Sequence, residues 1–152
     1  MKTFKIVLGW LLAGLLLIQF IRIDVPEPPK AKPGDEIQAP PKVMAILKRS
    51  CYDCHSNHTR WPWYSNIAPI SFEVRDHVRS GRQWLNFSIW NRYDAAKKRK
   101  LYKDIAKSID WKMPPPDYMW IHKNARLSPE DRQRIKTWAD EEAQKITAPE
   151  SR

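Results

Sequence analysis

Cysteine and glycine are both scarce in this chain. Its 152 residues include two cysteines and four glycines, and the two cysteines lie only three positions apart. No other cysteine remains, so a disulfide framework of the kind that supports small secreted domains is excluded. The sequence also has no pattern of alternating apolar and polar residues that predicts a β-strand. These absences favour one all-α domain of ordinary size.

Acidic residues are outnumbered by basic ones. The chain has 27 Lys and Arg against 17 Asp and Glu, which gives a net charge of +10. Without the first 22 residues, 24 basic and 17 acidic residues remain, a net charge of +7. This charge favours acidic partner proteins or anionic lipid surfaces.

A long apolar run stands near the N-terminus. Lys2 and Lys5 precede residues 6–21, which are nearly all apolar. As a helix, residues 4–21 would be about 27 Å long, close to the ~30 Å core of a bilayer. No small-x-small cleavage site follows, so we expect residues 1–22 to be an uncleaved membrane anchor. The lysines place the N-terminus in the cytoplasm and the rest of the chain outside it, which argues against a nucleic-acid partner.

Proline marks the boundary of the next region. Six prolines fall within residues 23–41, and we expect this segment to be a stiff, extended linker that reaches at most about 55 Å. We place the folded domain at residues 42–147 and a short tail at 148–152.

The most specific motif is Cys51-Tyr52-Asp53-Cys54-His55. C-x-x-C-H is the attachment sequence of c-type haem: the two thiols add to the haem vinyl groups and the histidine becomes the proximal iron ligand. Two other interpretations remain open. Cys51, Cys54, His55 and His58 are four potential zinc ligands, although they are packed more closely than usual. The cysteines are also a potential disulfide or redox pair, although no βαβ pattern surrounds them.

Four helices are predicted in the domain. The first covers residues 42–50 and leads directly into the motif. The second covers about 72–80, capped by Ser71 and ended by Gly81. The third covers 94–110, and the last runs from a cap at Ser128 to about 146 with Ile135, Trp138 and Ala139 facing inward. The third helix also has a basic face, which is either a solvated surface or a docking surface for an acidic redox partner: Lys97, Lys98, Arg99, Lys100 and Lys103.

An aromatic loop follows the motif. Trp61, Trp63 and Tyr64 are punctuated by prolines, and we expect them to stack on the edge of the haem or to bind its propionates. A backbone carbonyl near Pro69 is the expected acceptor for the Nδ1 proton of His55.

Met113 is the leading candidate for the sixth ligand of the iron. It begins a Met-Pro-Pro-Pro sequence, in which the prolines predict an extended loop rather than a helix. His/Met ligation raises the reduction potential and suits electron transfer. The rival ligands are Met44, Met119, His77 and His122.

Several separated blocks together resemble the bacterial haem-binding domain family of monohaem, cytochrome c-like proteins. They are Cys51–Asn57, Trp61–Pro69, Gly81-Arg82, Leu85–Ser88, Met113–Pro115, His122–Ser128 and the final helix with Trp138. The resemblance covers residues 40–145. It implies an all-α, cytochrome c-like helical domain around one covalently bound haem c, held by Cys51 and Cys54 with His55 and Met113 as axial ligands. The matched blocks also place Asn86 among the expected haem contacts.

The expected function is one-electron transfer by a periplasmic cytochrome anchored in the inner membrane of a bacterium by a single span. Its partners would be redox proteins, and the protein would be an electron carrier rather than an enzyme. The alternative is a haem-based sensor or haem enzyme in which the sixth ligand leaves.

Overall fold

The structure, a computed structural model, describes residues 1–146. The predicted tail at 148–152 and the last residue of the predicted domain lie outside this range. Residues 1–146 contain helices and no strand, as the sequence predicted. The α-helices are α1 (Lys2–Leu17), α2 (Pro41–Ser50), α3 (Tyr52–His55), α4 (Ile70–Trp84), α5 (Ala95–Ser108), α6 (Pro116–Ile121) and α7 (Pro129–Lys145). Short 3₁₀ helices lie at Ile18–Phe20, Trp63–Asn66, Phe87–Arg92 and Lys123–Ala125.

The N-terminal helix is long and apolar enough to cross a membrane. With the 3₁₀ turn that continues it, α1 reaches Phe20, and none of its apolar window is buried against the rest of the protein. Its 19 residues correspond to a length of about 28 Å. The apolar side chains of α1 are therefore free to face lipid.

The core lies between α5, α7 and α2. Helix α7 packs along α5 and also contacts α2. Leu47, Leu101 and Ile135 are almost completely buried where these helices meet, and each such side chain stabilises the fold by about 1.5–3 kcal/mol. Trp138 and Ala139 are also buried, which confirms the predicted inward face of the last helix.

The start of α7 follows the predicted chemistry. Ser128 accepts a hydrogen bond from the N–H of Asp131, and the Asp131 carboxylate accepts one from the N–H of Ser128. Arg49 of α2 donates to the same carboxylate at 2.7 Å. Partial burial opposes ionisation of Asp131, but the bonds from Arg49 and Ser128 outweigh it and lower the pKa. This residue therefore both caps α7 and ties it to α2.

Helix α4 begins earlier and ends later than predicted. It begins at Ile70, so Ser71 is a buried residue of the first turn and not the cap. It continues through Gly81 to Trp84, and the chain becomes extended only at Leu85. Gly81 is therefore an interior residue of the helix, kept small by a close contact described below.

The proline-rich segment, predicted to be a stiff, extended linker, also packs against the folded domain. Ile37 is completely buried, and its N–H donates to the carbonyl of Phe87 at 2.9 Å. Arg92 donates to the carboxylate of Asp35, and Asn57 donates to the carbonyl of Pro29 at 2.7 Å. Proline prevents this segment from forming a helix, but its carbonyls remain good acceptors, so polar side chains of the domain hold it against the surface.

A helix also replaces part of the predicted extended loop after Met113. Pro116 occupies the first turn of α6, where its missing N–H costs no hydrogen bond.

Candidate haem site

The C-x-x-C-H motif lies on the wall of a mainly apolar cavity of about 280 Å³. Cys51, Cys54, His55 and Met113 all line this cavity. The structure therefore brings together the four residues that the sequence assigned to haem attachment and iron ligation.

Helix α3 is a single turn that presents the two cysteines. The His55 N–H donates to the Cys51 carbonyl at 2.9 Å and closes the turn. Both cysteines are free thiols. Burial raises the pKa of each thiol to about 12. The Cys54 thiol adds a smaller increase to the pKa of Cys51, and nearby carboxylates add one to the pKa of Cys54. Neutral, partly buried thiols are unlike the activated thiolates of dithiol redox motifs, which have a lowered pKa.

His55 is buried and held by two backbone carbonyls. Its Nδ1 lies 3.1 Å from the carbonyl oxygen of Gly81 and 3.2 Å from that of Leu85. Carbonyls only accept, so Nδ1 carries the hydrogen and Nε2 keeps its lone pair for a metal. Burial lowers the pKa of His55 against the raising effect of these two bonds, which favours the neutral imidazole that iron requires. The predicted acceptor near Pro69 is wrong, because the end of α4 supplies the carbonyls instead.

Gly81 allows α4 to approach the motif closely. A Cβ atom at this position would lie 2.6 Å from the carbonyl oxygen of Cys54 and 3.1 Å from its Cβ. The next residue, Arg82, donates to the carbonyl of Ser56 at 2.9 Å and to the hydroxyl of Thr59 at 2.8 Å. Gly81 and Arg82 thus position the C-x-x-C-H turn. The sequence signal was the isolated glycine within an amphipathic helix, which often indicates close packing.

Of the four methionines, Met113 is the one that lines the cavity. Its carbonyl accepts a hydrogen bond from Arg132 at 3.3 Å, and Arg132 also donates to the carbonyl of Ile109. Helix α7 therefore holds the loop that carries Met113.

The rival ligands are differently placed. Met44, Met119 and His122 do not line the cavity. The Nε2 of His122 instead pairs with the Tyr64 hydroxyl at 2.6 Å. His77 does line the cavity, but its Nε2 lies 2.9 Å from Glu73 and its Nδ1 3.7 Å from Asp117.

The aromatic loop lies outside the cavity wall. None of the predicted haem contacts Trp61, Trp63, Tyr64 and Pro69 lines it. The 3₁₀ helix at Trp63–Asn66 turns Tyr64 inward towards His122 and leaves Trp63 79% exposed.

Asn86 also lies outside the cavity wall. It is buried, donates to the side-chain oxygen of Asn57 and accepts from the N–H of Ser88. Asn86 therefore orders the chain beside the motif.

The sequence did not indicate the polar edge of the cavity. The Tyr118 hydroxyl donates to the carboxylate of Asp53 at 2.8 Å, and Arg60 pairs with the same carboxylate. Burial, followed by the bond to Asp53, raises the pKa of Tyr118, so this phenol stays protonated. Both Tyr118 and Asp53 line the cavity.

The zinc interpretation of the motif has no geometric support. Within residues 1–146, the acidic, histidine and cysteine side chains that converge as a metal-binding group are Glu73, His77 and Asp117. Cys51, Cys54, His55 and His58 do not converge in this way, and His58 is exposed.

The donor set of the cavity fits haem. One mainly apolar cavity is lined by two neutral thiols, a neutral imidazole with a free Nε2 and a thioether. These are the groups that attach haem and bind its iron. Residues 13–141 match the model of the haem-binding domain family. The chain therefore belongs to this family of haem-binding proteins. No curated protein and no solved structure matches the chain.

Proposed function

We propose that this protein is a membrane-anchored c-type cytochrome that transfers one electron at a time. Cys51 and Cys54 would hold the haem, each thiol adding its sulfur and its hydrogen across one vinyl group. His55 and Met113 would be the axial ligands. When bound, haem would supply the one-electron couple between ferric and ferrous iron.

The observation that carries this proposal is the shared cavity of the four residues, with His55 fixed in the tautomer that leaves Nε2 free. With His55 and Met113 both holding the haem, no site would remain for a substrate, which would suit an electron carrier and not an enzyme. The wall of the cavity is mainly apolar, and Arg132 holds the loop of Met113 in place. Both features would keep the residues that hold the haem in position during electron transfer.

Location and partner form the second part of the proposal. Lys2 and Lys5 lie at the start of α1, before its apolar run, which favours a cytoplasmic N-terminus and a haem domain on the periplasmic side. On α5, Lys100 and Lys103 are exposed, and a basic surface of this kind speeds encounter with an acidic redox partner. Lys97, Lys98 and Arg99 are only partly exposed.

Covalent attachment is tested with the full-length protein produced together with haem-attachment machinery. Wild-type protein should retain haem after denaturation, and Cys51→Ala/Cys54→Ala should lose it. His58→Ala is the matched control, because His58 is exposed beside the motif, and it should retain haem. Haem that is released from denatured wild-type protein would contradict the proposal.

Ligation is tested by adding carbon monoxide to the reduced protein. A six-coordinate carrier should bind it little or slowly. Rapid, complete binding would favour the alternative of a sensor or haem enzyme with a labile sixth ligand.

A further inference from the structure

Several apolar side chains are exposed on the loop that follows the motif and at the first residue of α4. Trp61, Trp63, Ile67 and Ile70 have exposed fractions of 43%, 79%, 44% and 48%. We refer to these four residues as the loop surface. Removing apolar groups of this size from water is favourable, so several of them exposed close together in the sequence indicate an interaction site. The haem cavity does not use any of the four.

The loop surface is joined to the end of the membrane helix. The side-chain amide of Gln19 donates to the carbonyl of Ala68 at 3.0 Å, and its oxygen accepts from the N–H of Ala68 at 2.9 Å. This paired contact satisfies both backbone groups of Ala68. The neighbouring Ile67 therefore lies within one or two residue lengths of the helix end.

Arg75 provides a second connection. It donates to the carbonyl of Ile23, just after the apolar helix, at 3.4 Å and to the side chain of Asn66 at 2.9 Å. Its guanidinium lies 5.5 Å from the ring centroid of Trp61. The chain that leaves the membrane and the loop surface are thus held by the same arginine.

The length of α1 sets the depth of these contacts. With the 3₁₀ turn that follows it, the helix has 19 residues and spans about 28 Å, close to the ~30 Å hydrocarbon core. Gln19 is in the last turn, so it stands at the boundary between hydrocarbon and headgroups, and Ala68 stands there with it. Tryptophan is enriched at this depth because its ring is apolar and its N–H is polar.

We infer that the loop surface lies in the headgroup region of the bilayer that holds α1, and that lipid is the partner of Trp61, Trp63, Ile67 and Ile70. This inference rests on the proposed anchor. The haem domain then lies on the membrane in one orientation instead of moving at the end of an extended stalk. The contact of the proline-rich segment with Asn57 through Pro29 agrees with this short connection. The bond between Tyr64 and His122 fixes the loop to the domain.

Photo-crosslinking of the full-length protein in vesicles of phosphatidylcholine and phosphatidylglycerol tests this inference. A photoreactive benzoylphenylalanine replaces Trp63, Leu12 of α1, or Thr137, one residue at a time. Thr137 is exposed on α7, which packs on α5 and α2 and not on the loop. We expect lipid adducts at positions 63 and 12 and none at 137. A circular dichroism spectrum and a urea midpoint equal to those of the wild type show that each variant has folded.

The other outcomes separate the two proposals. Adducts at position 12 without adducts at 63 would overturn the loop surface as a lipid contact while the anchor stands. The lack of adducts at position 12 would overturn the anchor and this inference with it. In a second arm, Gln19→Leu keeps α1 apolar but removes the paired contact. It should reduce adducts at 63 severalfold and leave those at 12 unchanged, and an unaltered yield at 63 would contradict the role of Gln19.

Discussion

Replacement of Gly81 with alanine should destabilise the protein, although the same change stabilises most helices. In an ordinary helix interior, Gly→Ala adds about 1 kcal/mol of stability because alanine loses less backbone entropy. At position 81 the new Cβ would lie 2.6 Å from the carbonyl oxygen of Cys54. This oxygen belongs to the backbone and cannot rotate away. Overpacking of this kind costs about 1–3 kcal/mol, so we expect a net loss of about 1 kcal/mol in the free energy of unfolding.

Urea unfolding of the full-length protein in detergent, followed by circular dichroism, measures this loss. The exposed preceding residue supplies the matched control, since Ser80→Ala should be more stable than Ser80→Gly by about 1 kcal/mol. The shift of α4 should also disturb the bonds between His55 Nδ1 and its two carbonyls, which the haem absorption spectrum reports. If Gly81→Ala is as stable as the wild-type protein or more stable, then close packing does not explain the glycine.

Three further substitutions test individual contacts. Tyr118→Phe removes the hydrogen bond to Asp53 and should lower the free energy of unfolding by about 1 kcal/mol without loss of haem; an unchanged urea midpoint would argue against this bond. Arg132→Ala removes the hydrogen bonds that hold the loop of Met113. A fraction of the protein should then lose the weak long-wavelength absorption band of methionine-bound ferric haem while haem content stays constant. An unchanged spectrum would show that Arg132 is not needed to position Met113. The lowered pKa of Asp131 predicts a stability contribution that is full above its ordinary pKa of 3.8 and is lost as the pH falls through the lower pKa of the folded protein. Asp131→Asn should therefore destabilise the protein at neutral pH and much less in strong acid, and a pH-independent difference in urea unfolding would contradict this assignment.

Local chemistry made the last helix predictable. Ser128 and Pro129 define its start because a hydroxyl cap and a proline at the first position act within one turn. The positions of Ile135 and Trp138 follow from the helical period and do not depend on the rest of the chain. The motif itself is also predictable from the sequence, because the spacing of Cys51, Cys54 and His55 is local.

The role of Gly81 could not be predicted from the local sequence. A glycine near the end of a helical pattern is typical of a C-terminal cap, but it is equally typical of close packing. The deciding contact is with Cys54, 27 positions earlier. No local pattern reports such a contact, and the length of α4 was underestimated for this reason.

The positions of the aromatic loop and the proline-rich segment could not be predicted for a related reason. The sequence shows large aromatic residues soon after the motif, but it does not show which side of the loop Trp63 and Tyr64 occupy. The prolines of residues 23–41 predicted an extended chain, and the structure begins a helix there only at Pro41. They did not show that Asn57 and Arg92 would hold the carbonyls of this segment.

The central claim is that His55 and Met113 bind one covalently attached haem. The most direct test is the absorption spectrum of the oxidised protein, in which methionine-bound ferric haem has a weak long-wavelength band. Wild type and Met119→Ala should show this band, since Met119 does not line the cavity, and Met113→Ala should lose it while keeping covalent haem. A band that survives in Met113→Ala, or a wild-type protein that never shows it, would contradict the assignment of Met113 and the account of this protein as a His/Met electron carrier.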